Sequence, residues 1–289
     1  MTMITLEQMM EQAATLAPLP QTACRLAAMV ADDHSTVDQI TEVIEYDQVL
    51  TAEVLRFANS VASASKQRIE TVRTAVIRMG AARILERLVA GKVRNDMCRP
   101  IAGYGYQGDE LWRHSVAAAV VAESLGTFTG TQIAGIAFTA ALLHDIGKLV
   151  IGRCIGSTEL RSLLDVVRSG GKEAFEHAEK ELLGYSHAQI GAQICSSWNL
   201  PERIVVAIRD HHRVDTAEDP VADSVRLSNL TAKLIGEGIG HEGMAFVVDT
   251  SCARRFGFCK ESFEAFCANA KYRFNEVIVS YGSYRAVEN

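Results

Sequence analysis

The chain has 289 residues and a formal net charge of −6, with 29 Lys and Arg residues against 35 Asp and Glu residues. This acidic balance, without any cluster of Lys and Arg, argues against a nucleic-acid-binding protein, which would present a basic face. Hydrophobic residues make up 48% of the chain and aromatic residues only 7%. An Ala-rich, aromatic-poor composition of this kind favours helices over sheets.

Cysteine usage and the N-terminus both indicate a cytoplasmic protein. The seven cysteines form no C-x-x-C motif, which is typical of reduced thiols in a reducing compartment. Residues 1–14 lack the basic and apolar regions of a secretory signal. The longest apolar run, residues 133–143, is too short to cross a bilayer. We therefore expect a cytoplasmic chain without membrane insertion.

The spacing of apolar residues predicts helices along the whole chain, and no alternating strand pattern stands out. In the first third, Thr36 and Gln39 form a predicted capping box, and Gly80 marks the end of a helix. The helices predicted there cover residues 6–13, 21–31, a segment carrying residues 40–44, 50–59, 72–79 and 81–93.

The clearest break is residues 99–109, which are dense in Gly and Tyr. It predicts a boundary between an N-terminal helical bundle, residues 1–98, and a second helical region, residues 99–220. A C-terminal helical extension, residues 221–289, follows a polar loop at 213–220. Further helices are predicted near residues 110–125, 131–144, 158–169, 172–183, 187–197, 201–212, 221–236 and 260–281. The predicted fold class is all-α.

Potential metal ligands gather at helix ends in the second region. An apolar helix ends in the doublet His144-Asp145, followed by Gly147 as a predicted terminator. The remaining candidates are Glu110 and His114 on one helix face, His187 behind a predicted Ser186–Gln189 capping box, and His211 and His212 at another helix end. Imidazole and carboxylate are the ligands of Zn, Mn, Fe or Ni.

Packing roles remain open for these residues at this point. A single His on an apolar helix is more often a hydrogen-bonded core residue than a ligand. The pair His211-His212 would also suit a cationic helix C-terminus, and Glu110 would suit a solvated first turn. Asp145 is harder to explain in this way, because a carboxylate after a buried run needs a partner.

The order of these residues resembles the HD superfamily of metal-dependent phosphohydrolases. The string HDIGK and the later HH are similar in particular to the HD-GYP cyclic-di-GMP phosphodiesterases. The resemblance implies that Asp145 bridges two metals and that Lys148, as a catalytic residue, contacts a substrate phosphate. It implies metal ligation by Glu110, His114, His144, Asp145, His187, His211 and His212.

The N-terminal half resembles another branch of the superfamily, the HDOD family. The resemblance runs from about residue 14 to residue 212. It is carried by Leu19-Pro20, by residues 46–51 (YDQVLT), 55–60 (LRFANS) and 69–80, and by positions scattered through 184–212. HDOD domains are regarded as regulatory output modules of bacterial signal transduction without established catalysis.

Two departures from the phosphodiesterase pattern stand out. The G-Y-P signature is missing after His212, where residues 213–220 read RVDTAEDP. The closing Asp of the ligand set aligns with Asn229, whose amide can ligate a metal but adds no negative charge. A second metal would therefore lose electrostatic support.

These observations predict an HDOD fold in which an N-terminal helical bundle packs on an HD-type helical region. The expected function is that of a bacterial regulatory protein that binds a partner protein or a small signalling ligand, as a monomer or a homodimer. One divalent transition metal, Fe, Mn, Zn or Ni, would occupy a vestigial site. The alternative is a metal-dependent phosphohydrolase acting on a cyclic dinucleotide or a nucleotide, in which the metal activates a water molecule.

Overall fold

The structure is a computed structural model that describes residues 4–59, 69–129, 134–169, 174–213, 219–241 and 251–282. Within these ranges the chain is helical, and the only strand-like pairing is an isolated antiparallel bridge between Ile101 and Tyr106. The predicted all-α class is confirmed. Parts of the helices predicted at 131–144 and 172–183, most of the 213–220 loop and the tail after residue 282 lie outside the described residues.

Among the described residues, six helices precede the Gly- and Tyr-rich break. The capping box of Thr36 and Gln39 opens the third of them, and Gly80, at φ 82°, separates the last two, as the sequence predicts. These helices are α1 Leu6–Ala13, α2 Gln21–Val30, α3 Val37–Glu45, α4 Gln48–Ala58, α5 Val72–Met79 and α6 Ala81–Met97.

The break itself contains a short 3-10 helix at Ala102–Tyr104, and the candidate ligands lie on the helices that follow or at their ends. The helices after the break are α7 Glu110–Thr129, α8 Ala134–Leu143, α9 Gly147–Cys154, α10 Ser157–Ser169, α11 Ala174–Leu183, α12 His187–Ser197, α13 Glu202–Asp210, α14 Pro220–Leu234, α15 Ser251–Arg255 and α16 Lys260–Gly282.

The role predicted for Gly147 is wrong: this residue begins α9 instead of terminating α8. The chain makes only a turn at residues 144–146 before it becomes helical again. A Cβ atom at Gly147 would clash with the carbonyl oxygen of His187. Glycine is therefore needed here because α9 and α12 approach closely, and not because a helix ends.

A continuous buried core joins the N-terminal bundle to the HD-type region. Helix α1 packs against α9 and α12, while α2 and α6 pack against α8. This is the predicted arrangement of a bundle packed on the second region. Helix α14, which begins at Pro220, packs on α7, α8 and α13. The division at residues 98 and 220 stays a prediction, but α14 is part of the core around the candidate site.

In the described chain, one stretch is apolar and long enough to pass as a membrane span by length and composition. It is Gly135–Cys154, with a mean hydropathy of 1.4, and it comprises α8 and α9. Of this apolar window, 94% is buried inside the fold. Burial of this kind is what a core helix of a soluble protein shows.

Candidate metal centre

The His144-Asp145 doublet lies at the turn between α8 and α9, and both side chains are fully buried. Helix α8 is apolar on every side and passes through the interior, so its C-terminal end delivers the doublet into the core. Burial would raise the pKa of Asp145, but His144 and Lys148 outweigh this and hold it well below its usual value. Asp145 is therefore a buried carboxylate anion.

Asp145 stands between two groups of potential ligands. Its Oδ2 atom is 3.5 Å from His114 Nε2 and 3.3 Å from His144 Nε2. Its Oδ1 atom is 3.4 Å from His187 Nε2 and 4.0 Å from His211 Nε2. The two groups, each with ligand atoms within 4.8 Å of one another, are His114, His144 and Asp145, and His187, His211 and His212.

Four of the histidines are oriented by hydrogen bonds from Nδ1. Carbonyl and carboxylate oxygens only accept, so each of these Nδ1 atoms carries the proton and each ring turns Nε2 toward Asp145. His114 donates to the Glu237 carbonyl at 2.9 Å, and His144 donates to the Ala141 carbonyl at 2.7 Å. His211 donates to the Ile208 carbonyl at 2.7 Å, and His187 donates to the Glu179 carboxylate at 2.7 Å. Such partners are typical of histidines that bind metals.

Two pairs of rings are in contact through Nε2. The separation is 3.3 Å between His114 and His144 and 3.0 Å between His187 and His212. Burial lowers the pKa of His114 to about 3, so the His114 ring is neutral and its Nε2 atom carries a lone pair. Burial would also lower the pKa of His187, but the Glu179 carboxylate outweighs it and raises that pKa.

Two atoms facing the centre have no such partner. Asp145 Oδ1 and His211 Nε2 are buried and without a hydrogen bond in the described part of the chain, although they lie 4.0 Å apart. Burial lowers the pKa of His211 well below its usual value. A buried unsatisfied acceptor costs about 1–3 kcal/mol. The Asp145 Oδ1 atom is anionic and the His211 Nε2 atom carries a lone pair, so a metal cation between them would give both a partner.

A second layer of residues supports the ligands. The Glu179 carboxylate accepts from the His187 backbone N–H at 2.7 Å and from the Tyr104 hydroxyl at 2.6 Å. Lys148 Nζ donates to Asp145 Oδ2 at 2.8 Å and to the Tyr106 hydroxyl at 3.4 Å. Both tyrosines belong to the residue 99–109 break, which thus contacts the partners of the centre.

A glycine-rich turn, residues 236–241, closes over His114. The Glu237 carboxylate is held by Arg113 at 2.9 Å and by Lys271 at 2.7 Å, which fixes the carbonyl that His114 contacts. At Gly238, with φ of 61°, a Cβ would clash with the His114 side chain. Glycine is required there because the backbone approaches the ring so closely.

The structure brings six of the eight candidate ligands together and treats the other two differently. Glu110 caps the start of α7, where its carboxylate accepts from the Gln107 N–H at 2.8 Å, and it belongs to neither ligand group. The ligand role that the resemblance implies for Glu110 stays a prediction. Asn229 is buried on α14, and its Oδ1 lacks a hydrogen-bond partner in the described residues. Its ligand role stays a prediction.

The sequence did not single out Glu179, Glu237, Tyr104 or Tyr106. Glu179 is one of several acids on α11, and nothing in its spacing distinguishes it. The density of Tyr and Gly in residues 99–109 marked the break and was the only signal for the two tyrosines. The centre is closed to solvent: all the ligand candidates in the two groups are buried except His212, which is half-buried.

Comparison with known proteins gives a family match and several similar folds. A family model described as the HDOD domain matches residues 16–214. A relative from Treponema pallidum (strain Nichols), described as an uncharacterized protein, is 24% identical over 225 residues, covering 75% of this chain and 42% of the relative. The chain thus spans less than half of that relative.

Solved structures share the fold. A candidate signal transduction protein from Marinobacter aquaeolei VT8 has a TM-score of 0.64 and 23% identity, over 98% of this chain and 61% of that one. An HDOD domain protein from Geobacter sulfurreducens has a TM-score of 0.60 and 22% identity, over 98% and 96% of the two chains. A candidate phosphohydrolase from Shewanella amazonensis SB2B has a TM-score of 0.57 and 24% identity, over 92% and 97%. At these identities the likeness shows the fold alone.

Proposed function

The chain belongs to the HDOD domain family, and we propose that it is a cytoplasmic, metal-binding regulatory protein without phosphohydrolase turnover. Its buried centre would hold a divalent transition metal, while its output would be the binding of a partner protein or a small signalling ligand. The metal would serve the fold and its regulation by joining residues of α12 and α13 to the turn between α8 and α9.

One observation carries the metal-binding part of the proposal. Asp145 Oδ1 and His211 Nε2 are buried, lack hydrogen bonds in the described chain and are directed at a common space. A bound cation would satisfy both at once. Histidine and carboxylate donors suit Zn, Fe, Mn or Ni, and such a metal would act as a Lewis acid for whatever reached it.

Three features argue against turnover. Within the described residues, the side chains facing Asp145 are fully buried, and His212 is the half-buried member of the two ligand groups, so the centre is poorly accessible to a phosphoester. In the superfamily pattern Lys148 would contact a substrate phosphate. Here Lys148 is buried and its Nζ donates a hydrogen bond to Asp145, so it is not presented to a substrate. Asn229 stands where the pattern has a charged ligand. A metal-dependent phosphohydrolase remains the second candidate, because the six clustered ligands would suit one.

A protein partner is supported by the surface of the N-terminal bundle. Within the HDOD string at residues 46–51, Tyr46 is 84% exposed and Val49 is 66% exposed, whereas Leu50 is buried. Exposed aromatic and aliphatic side chains in a family signature suit a contact with another protein. A Tyr46→Ala, Val49→Ser double variant should lose a partner captured by the wild type while it keeps the wild-type melting temperature.

The test of the proposed function combines metal analysis with hydrolysis assays. Protein purified without a His-tag should contain a transition metal, measured by plasma mass spectrometry. Asp145→Ala should lose this metal, whereas Asp33→Ala, at an exposed surface carboxylate, should keep it. Hydrolysis of cyclic-di-GMP and of bis(p-nitrophenyl) phosphate should stay at background with added Mn, Fe or Zn.

Two results would overturn the proposal. If the wild type contained no metal, even after incubation with Zn or Mn, the proposed metal binding would be wrong. Turnover by the wild type that disappears in Asp145→Ala would establish the phosphohydrolase instead.

A further inference from the structure

The two sides of Asp145 differ in how completely their polar atoms are satisfied. On the Oδ2 side, the Nδ1 atoms of His114 and His144 donate to carbonyl oxygens, and Oδ2 itself accepts from Lys148 at 2.8 Å. On the Oδ1 side, Oδ1 and His211 Nε2 have no hydrogen-bond partner in the described residues. Oδ2 thus already has a cationic partner in Lys148, whereas a cation on the other side would give Oδ1 and His211 Nε2 the partner that they lack.

The distribution of charge around Asp145 also favours a cation at Oδ1 over one at Oδ2. The Lys148 ammonium is fixed beside Oδ2, where it also lies 5.4 Å and 5.5 Å from the ring centroids of Tyr104 and Tyr106. A divalent ion at Oδ2 would stand next to this buried positive charge. On the other side the Glu179 carboxylate contacts His187 at 2.7 Å, which adds negative charge and makes the His187 ring a better donor to a metal.

From this asymmetry, and resting on the metal binding proposed above, we propose that the centre holds one divalent transition metal on the Oδ1 side of Asp145. Its ligands would be His187, His211, His212 and Asp145. The Lys148 ammonium takes the place of a second cation at Oδ2. Three imidazoles and one carboxylate oxygen make four ligands, the number that Zn prefers.

A matched pair of variants tests the placement. The His114 and His211 rings are both fully buried, so replacing either by alanine removes the same volume from the same core. His211→Ala should lose the metal, and His114→Ala should keep close to one ion per chain. Lys148→Met, which removes the charge beside Oδ2, should allow a second ion to bind when Zn or Mn is supplied.

A measurement on the wild type keeps the test independent of variant folding. X-ray absorption of the zinc-loaded protein should fit three imidazoles and one oxygen. A fit with two imidazoles, two ions per wild-type chain, or metal lost in His114→Ala but kept in His211→Ala would each overturn the placement while leaving metal binding intact. A wild type that binds no metal would instead overturn the proposed function itself.

Discussion

At the scale of single residues, Glu86 shows how burial sets the charge of a carboxyl group. Glu86 lies on α6 and is buried. Burial, helped by the nearby Glu123, raises its pKa to about 8 even though Arg83 and Arg273 oppose the shift. The group therefore carries a proton at neutral pH, which avoids an unpaired buried charge.

The raised pKa predicts a pH dependence of stability. Between the ordinary pKa of 4.5 and the folded value of about 8, the folded state binds more protons than the unfolded state. The free energy of unfolding should therefore fall as the pH rises through this window and level off above it. Glu86→Gln should remove this slope and be more stable than the wild type at pH 8.5 by at least about 1 kcal/mol.

Urea denaturation at pH 5 and pH 8.5 measures this difference. At pH 5 the difference between the wild type and Glu86→Gln should be much smaller than at pH 8.5, because pH 5 lies close to the ordinary pKa of 4.5, where the window begins. Glu42→Gln, at an exposed site on α3, serves as the control and should keep the wild-type slope. The same slope in Glu86→Gln as in the wild type would show that Glu86 is ionised in the folded protein.

Glu179 is predicted to raise the metal affinity of the centre. Its carboxylate holds His187 through Nδ1 and the backbone N–H, and losing such a partner lowers metal affinity about 10–100-fold. Glu179→Gln should show this loss in competition with a chromophoric chelator. Glu176→Gln is a matched control, because Glu176 is also buried on α11 but pairs with Lys180 at 2.7 Å. Equal affinities in the two variants would contradict the role of Glu179.

The clustering of the candidate ligands was predictable from the sequence, but the residues that support them were not. His144-Asp145 and His211-His212 are adjacent pairs at the ends of apolar runs, and that pattern is visible in one dimension. The acceptor for His114 is the carbonyl of Glu237, 123 residues away. Backbone carbonyls carry no sequence signal, so only the folded chain reveals such a contact.

At the scale of helices, the approach of α9 to α12 is predicted to depend on Gly147. A Cβ there would clash with the His187 carbonyl oxygen, so Gly147→Ala should force the two helices apart and destabilise the protein by about 1–3 kcal/mol. Gly91→Ala on α6, where a Cβ would meet nothing within 4 Å, should stabilise it by about 0.5–1 kcal/mol. Chemical denaturation measures both, and a stabilising Gly147→Ala would disprove the close approach.

Helix starts were predicted well where side chains cap them and poorly where packing decides. The boxes at Thr36 and Ser186 are present as the sequence predicts, because a capping box is a local interaction within four residues. Helix α9 was missed because glycine after an apolar run usually signals a helix end. The tertiary contact with α12 outweighs that local preference.

At the scale of the whole molecule, the centre joins helices that are distant in sequence. If the proposed metal is bound, its removal is therefore predicted to destabilise the entire fold, since Asp145 and His211 would lose the cation that gives them a partner. A metal at about 100 times its Kd contributes about 2.7 kcal/mol, which corresponds to a melting temperature about 4 °C higher for a chain of this length. Calorimetry with and without EDTA measures the shift. Asp145→Ala should show none, and an unchanged wild type would contradict the prediction.

The loop between α6 and α7 touches both the centre and the connection between the two helical regions. Tyr104 contacts Glu179 and Tyr106 contacts Lys148, and the bridge between Ile101 and Tyr106 holds the loop in one shape. Thermodynamic coupling is reciprocal. If metal binding stabilises this conformation of the loop, then a partner that stabilises the same conformation will increase the metal affinity by the same free energy. A partner protein that binds the N-terminal bundle and a metal ion that binds the buried centre would then each increase the affinity of the other.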